Sequence, residues 1–111
     1  MIFRKREVNP YPISDKAVFR NVDKTLTLFV RADPFTLVSN LRKANERCAK
    51  LTDESPDGEK LDAARALAAA IFGFAQADQL VEFYEDPLTV ISACGRYFIF
   101  LKPKIEKAQK K

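Results

Sequence analysis

Along residues 17–32, AVFRNVDKTLTLFVRA, apolar and polar side chains alternate. Leu26, Leu28 and Val30 fall on one side, with Thr25, Thr27 and Phe29 on the other. Period two is the signature of a strand with one covered face. Val18 and Val22 join the first set if the strand runs unbroken. Asn21 and Asp23-Lys24 offer a turn instead, which gives a hairpin of residues 17–22 and 25–32. A lone hairpin is marginal in water, so it must rest on helices or pair with another chain. Upstream, NPYPISD carries Pro10 and Pro12 and reads as an extended linker or edge segment.

From Asp33 the period changes to three and four. Asp33 is a good N-cap and Pro34 suits a first helical turn. Phe35, Val38, Leu41, Ala44 (or Asn45), Cys48 and Leu51 then predict an amphipathic helix over 34–52. The acidic stretch TDESPDGE follows as a loop. A second helix is expected over 59–72 on Leu61, Ala64, Leu67, Ala68 and Ile71, closed by Gly73. A short third helix covers 76–84 with Leu80, Val81, Phe83 and Tyr84, and Asp86-Pro87 opens a fourth over 87–101.

The fourth helix is greased on two sides. Leu88, Ile91, Cys94 (or Gly95), Phe98 and Leu101 form one stripe, and Val90, Ala93, Tyr97 and Phe100 form another, widened by Ile99. A surface helix of a small domain normally buries one stripe. Burying a Phe or Val is worth roughly 1.5–3 kcal/mol, so an uncovered second stripe approaches the stability margin of a small domain. Either the hairpin covers it, or another chain does. The apolar surface of residues 61–84 adds to the load, which favours an oligomer or a bound partner segment.

The fold class is therefore α+β: an N-terminal β-hairpin or short strands, then a bundle of about four helices. A chain of 111 residues, 47% hydrophobic and 31% charged, suits one folded domain. It divides into a strand-rich part, 1–32, and a helical part, 33–101, followed by a basic flexible tail, 102–111. That last segment, KPKIEKAQKK, holds five Lys and one Glu, while residues 1–101 hold 14 basic and 14 acidic side chains. The net charge of +4 thus sits on the final ten residues and argues against a phosphate-binding folded face. MIFRKREV is no secretory leader, and no apolar run approaches a bilayer span. Cys48 and Cys94 are expected as reduced thiols in a cytoplasmic protein.

The chemistry of catalysis is missing. There is no His, no C-x-x-C, and no glycine-rich phosphate loop around Gly58, Gly73 or Gly95. Glu82, Glu85 and Asp86 read as a solvated helix end, and Asp53, Glu54, Asp57 and Glu59 lack the spacing of a calcium loop. Neither a cofactor nor a metal is expected, and the chain is not expected to be an enzyme. Arg4-Lys5-Arg6 and the terminal lysines offer the alternative of a small basic nucleic-acid-binding module, without the interleaved aromatics of a base-stacking platform.

The C-terminal half carries a helix ending Ala68, Ile71, Phe72, Gly73, then a short helix with Leu80 and Tyr84, then an apolar helix with Ile91, Cys94, Phe98 and Leu101, then a Lys-rich end. This arrangement resembles the small tail assembly chaperones of long-tailed bacteriophages and their prophage relatives. The resemblance implies a non-enzymatic protein of the bacterial cytoplasm that self-associates. It also implies binding to apolar segments of a tape-measure protein and gathering of tail-tube subunits during tail assembly. On that reading Phe72, Phe83, Tyr84, Tyr97, Phe98 and Phe100 line the assembly or client surface.

Overall fold

The computed structural model describes residues 13–109. A two-stranded antiparallel hairpin, β1 (Ile13–Asn21) and β2 (Lys24–Ala32), precedes four helices: α1 (Pro34–Ala49), α2 (Asp57–Phe72), α3 (Phe74–Tyr84) and α4 (Pro87–Gln109). The α+β expectation holds. The turn at Asn21–Lys24 decides between hairpin and unbroken strand, with partners running from Ile13 opposite Ala32 to Asn21 opposite Lys24. Ile13–Asp15 belong to β1 and are not a linker; residues 9–12 lie outside the described residues.

Reversing the chain at the loop also reverses which parity faces the core. Ile13, Ala17 and Phe19 of β1 are buried with Leu28 and Val30 of β2. Val18 therefore stands on the solvent face, and Val22 sits in the loop with 98% of its surface exposed. Its backbone is left-handed, φ +59°, while Asp23 is not. A two-residue hairpin with positive φ at its first position is the turn in which glycine is preferred.

α2 is the hub, touching α1, α3, α4 and β2. It lies between α1 and α3 and antiparallel to both: the Cys48 thiol reaches the Ala63 carbonyl, and Arg65 meets Asp78. Ala64, Leu67, Ala68 and Ile71 point inward, and Leu61 is only partly covered. α1 obeys its Asp33 cap, whose carboxylate accepts the Thr36 amide at 2.9 Å. Its inner stripe is Leu37, Leu41 and Ala44, which recur every three or four positions. That choice turns Phe35 outward, leaves Val38 and Cys48 half-buried, and ends the helix before Leu51.

The hairpin is tied to the helices at both edges. Gln76 acts as a surrogate strand for β2: its amide oxygen accepts the Phe29 N–H at 2.8 Å, and its amide nitrogen donates to the Phe29 carbonyl at 2.7 Å. The Tyr84 hydroxyl donates to the Arg20 carbonyl on β1 at 2.9 Å.

Residues 102–109 of the expected basic flexible tail, 102–111, are instead the last two turns of α4, and 110–111 lie outside the described residues. Leu101 and Ile105 are buried, continuing the inward stripe of Val90, Ala93 and Cys94, and Lys104 pairs with Asp15 at 3.0 Å. Pro103 stands inside the helix. The hydrogen bond it removes belongs to the carbonyl of Ile99, four residues back on the exposed side, where water can take the donor's place.

Holding a β-branched residue in the left-handed region costs roughly 1–2 kcal/mol. Val22→Gly is accordingly expected to raise stability by about 1 kcal/mol, seen as a higher urea midpoint at unchanged slope.

Candidate partner-binding surface

The six aromatic positions expected at a partner surface divide in two. Phe72 is buried core: its ring meets Phe19 edge-on at 5.7 Å and stacks on Tyr97 at 5.6 Å. Tyr97 is also spent inside the molecule. Its hydroxyl donates to Asp15 at 2.6 Å, and its ring lies 6.2 Å from Phe19. Tyr84 closes the same cluster, 6.4 Å from Phe19, with Phe83 edge-on to it at 5.0 Å. The Phe83 carbonyl accepts the side-chain amide of Asn21 at 2.9 Å. These four residues build the hairpin's seat, and aromatic pairs of this kind add about 0.5–1.5 kcal/mol each beyond area burial. Phe72 is buried there, and Phe83, Tyr84 and Tyr97 are partly covered.

Phe98 and Phe100 are different. Phe98 is half-buried and walls a groove of about 490 Å³ between α1 and α4, with Val38, Leu41 and Ala49 opposite. Phe100 is 71% exposed, beside Ile99 at 68% and Leu88 at 51%. On a helix of 3.6 residues per turn, Leu88, Ser92, Gly95 and Ile99 share one side. Phe100 borders that side on one flank, and Ile91 and Phe98 border it on the other. Between Pro87 and Leu101 the only charged residue is Arg96. The outward surface of α4 sets Leu88, Ile99 and Phe100 around exposed Ser92 and Arg96 with no carboxylate, and the neighbouring α1 groove is rimmed by Arg42, Asn45 and Glu46.

The sequence shows both stripes but not their phase. The phase is set by Leu101 and Ile105, which anchor the C-terminal turns and rotate Ile99 and Phe100 outward. Counting those turns as a tail hid the signal.

The polar seat has its own electrostatics. Burial pushes against charge on Asp15, yet hydrogen bonds from Tyr97, Lys104 and the Lys16 amide outweigh it and hold the carboxyl below its usual range. Burial, and then the Asp15 charge, pushes the Tyr97 phenol upward.

Both cysteines are free. Burial, with Cys48 nearby, pushes the Cys94 thiol up to about 12, so it is a packing group and not a nucleophile. Among the described residues no three His, Cys, Asp or Glu gather as metal ligands. Glu82, Glu85 and Asp86 are exposed. Asp86 caps α4 by accepting the Thr89 hydroxyl and amide, which lowers its pKa. No described helix is long and apolar enough to cross a membrane. Arg4, Lys5, Arg6, Lys110 and Lys111 lie outside the described residues.

No family model, curated protein or solved structure matches the chain.

Because Asp15 titrates below its unfolded value of about 3.9, its contribution is present above that pH and fades as pH falls through the folded value. Asp15→Asn should therefore destabilise the protein at pH 7, with the gap to wild type closing below about pH 4 in urea titrations. A second contrast separates seat from surface. Tyr97→Asp should unfold the chain by circular dichroism, whereas Phe100→Asp should leave the unfolding free energy within about 0.5 kcal/mol of wild type.

Proposed function

We propose that this chain is a non-enzymatic interaction protein that takes an apolar helical segment of a partner onto α4 and the α1–α4 groove. Such a role matches that of the small phage tail assembly chaperones it resembles, with a tape-measure protein as client, tail-tube subunits as further partners and the bacterial cytoplasm as setting. One observation carries the reading: Leu88, Ile99 and Phe100 face outward from a helix bearing no carboxylate between Pro87 and Leu101. Apolar side chains of this size gain roughly 1.5–3 kcal/mol each when covered. An amphipathic helix laid in a groove covers them through anchors at i, i+3, i+4 and i+7.

A second reading has its own observation. The solvent face of the hairpin presents Lys16, Arg20, Arg31 and half-exposed Phe29 with no carboxylate among Ser14, Val18, Thr25 and Thr27. A small nucleic-acid-binding module would use cations and an aromatic in this way.

Fluorescence anisotropy with a labelled apolar amphipathic peptide of tape-measure type distinguishes the two. The proposed function expects binding that is nearly independent of salt and weakened at least ~10-fold by Ile99→Asp (about 1.4 kcal/mol), with the melting temperature kept. Absence of peptide binding, together with single-stranded RNA binding that falls steeply with salt, would replace it with the second reading.

A further inference from the structure

The α1–α2–α3 layer has an outer face, turned away from α4 and bordered near Ala69 and Ala70 by Arg31 and Ala32 of β2, on which charge is sorted by helix. From α1 through its C-cap, residues 34–50 hold four basic side chains and one acidic. Residues 51–86, containing α2 and α3, hold nine acidic side chains and two basic. Across the layer this gives three rows. α1 contributes Lys43 and Arg47, α3 contributes Asp78 and Glu82, and α2 between them contributes exposed Asp62 followed by Ala66, Ala69 and Ala70.

The α1 and α2 rows meet in a groove of about 300 Å³, whose alanine floor is overlooked by Lys43 and Arg47 and closed at one end by Phe74. Phe74 is 74% exposed. Among the described residues, Asp78 alone of the nine carboxylates has a cation within ion-pair distance, Arg65 at 3.0 Å. The Arg65 Nε–H gains no hydrogen bond from it.

We infer that this face is the contact between two copies of the chain, related by a two-fold axis running along α2. Rotation about such an axis sets the basic row of one copy over the acidic row of the other and the reverse, and stacks Ala66, Ala69 and Ala70 on their counterparts, with Asp62 meeting its own copy at one end of the row. The positions agree along the axis as well as across it. α1 and α3 both run antiparallel to α2. The Cys48–Ala63 contact and the Arg65–Asp78 pair then put Arg47 and Asp78 at nearly the same height along it. Lys50 and Glu82 share a height one turn further on. A two-fold axis in the other direction would set both charged rows against themselves, whereas this one opposes only Asp62 to its copy.

Alanine rows permit backbones to approach closely, and Phe74 supplies the one bulky anchor that such a flat surface needs. α2 spans roughly 24 Å, and three rows about 9 Å apart make a footprint on the order of 600 Å² per copy. About 1,200 Å² in total is the lower bound for a specific interface. A dimer of modest, salt-sensitive affinity follows. It leaves the outward surface of α4 free, so it stands independently of the client reading.

Sedimentation equilibrium tests the inference on the full chain. Wild type is expected to dimerise, at least ~10-fold more weakly in 0.5 M than in 0.05 M salt. Arg47→Glu and Glu82→Lys should each weaken the dimer at least ~10-fold, and the double variant in one chain should recover most of the loss by exchanging the two signs. Ala69→Arg should abolish it, while Phe100→Asp leaves it intact, all with melting temperatures near wild type. A chain that stays monomeric to about 1 mM overturns the inference. So does a dimer that resists Ala69→Arg and dissociates on Phe100→Asp. Loss of peptide binding with the dimer intact would remove the client reading alone.

Discussion

A two-stranded sheet has one face and two edges to satisfy, and everything in this fold is arranged around that need. Ile13, Ala17, Phe19, Leu28 and Val30 have no second sheet to pack on. Phe19 instead enters a cluster of Phe72, Tyr84 and Tyr97 drawn from three helices. The aromatic residues of α2, α3 and α4 are placed where the hairpin can reach them, and the Asp15–Tyr97–Lys104 contacts lock the strand to the far end of α4. Without the hairpin, the helical layer would expose its largest rings.

This dependence explains why α4 can be apolar almost all round. One side packs on α2, a second carries the seat of β1, and the remainder faces outward. The division of labour is rotational, with a difference of one residue separating Tyr97, which holds the fold, from Phe98, which walls a groove. α2 shows the same economy in smaller side chains. Its alanines serve the core on one side and leave a low, flat row on the other.

Much of this was legible from residue order. Asp33-Pro34, Gly73 and Asp86-Pro87 mark helix boundaries by local chemistry, and alternation in β2 marks its two faces. Other features depend on distant partners. The loop at Val22 is the kind of turn for which Gly or Asn is the usual sign, so the parity of β1 could not be read ahead. Pro103 and the lysines around it argued for a tail, whereas Leu101 and Ile105 continue a stripe whose value lies in burial. Residue order alone does not separate Phe98 and Phe100 from Phe72, Phe83, Tyr84 and Tyr97. Which of them are spent within the chain depends on hydrogen bonds that they donate to the Asp15 carboxylate and the Arg20 carbonyl, far away in sequence.

Gln76 has a consequence beyond holding β2. An exposed strand edge invites addition of another strand, and repeated addition builds fibrils. By occupying both main-chain groups of Phe29, this one side chain acts as a chain terminator for the sheet. Any pairing along β1 would meet the same plug on its far side and stop at a finite assembly. Strand addition to the β2 edge is thus obstructed at Phe29.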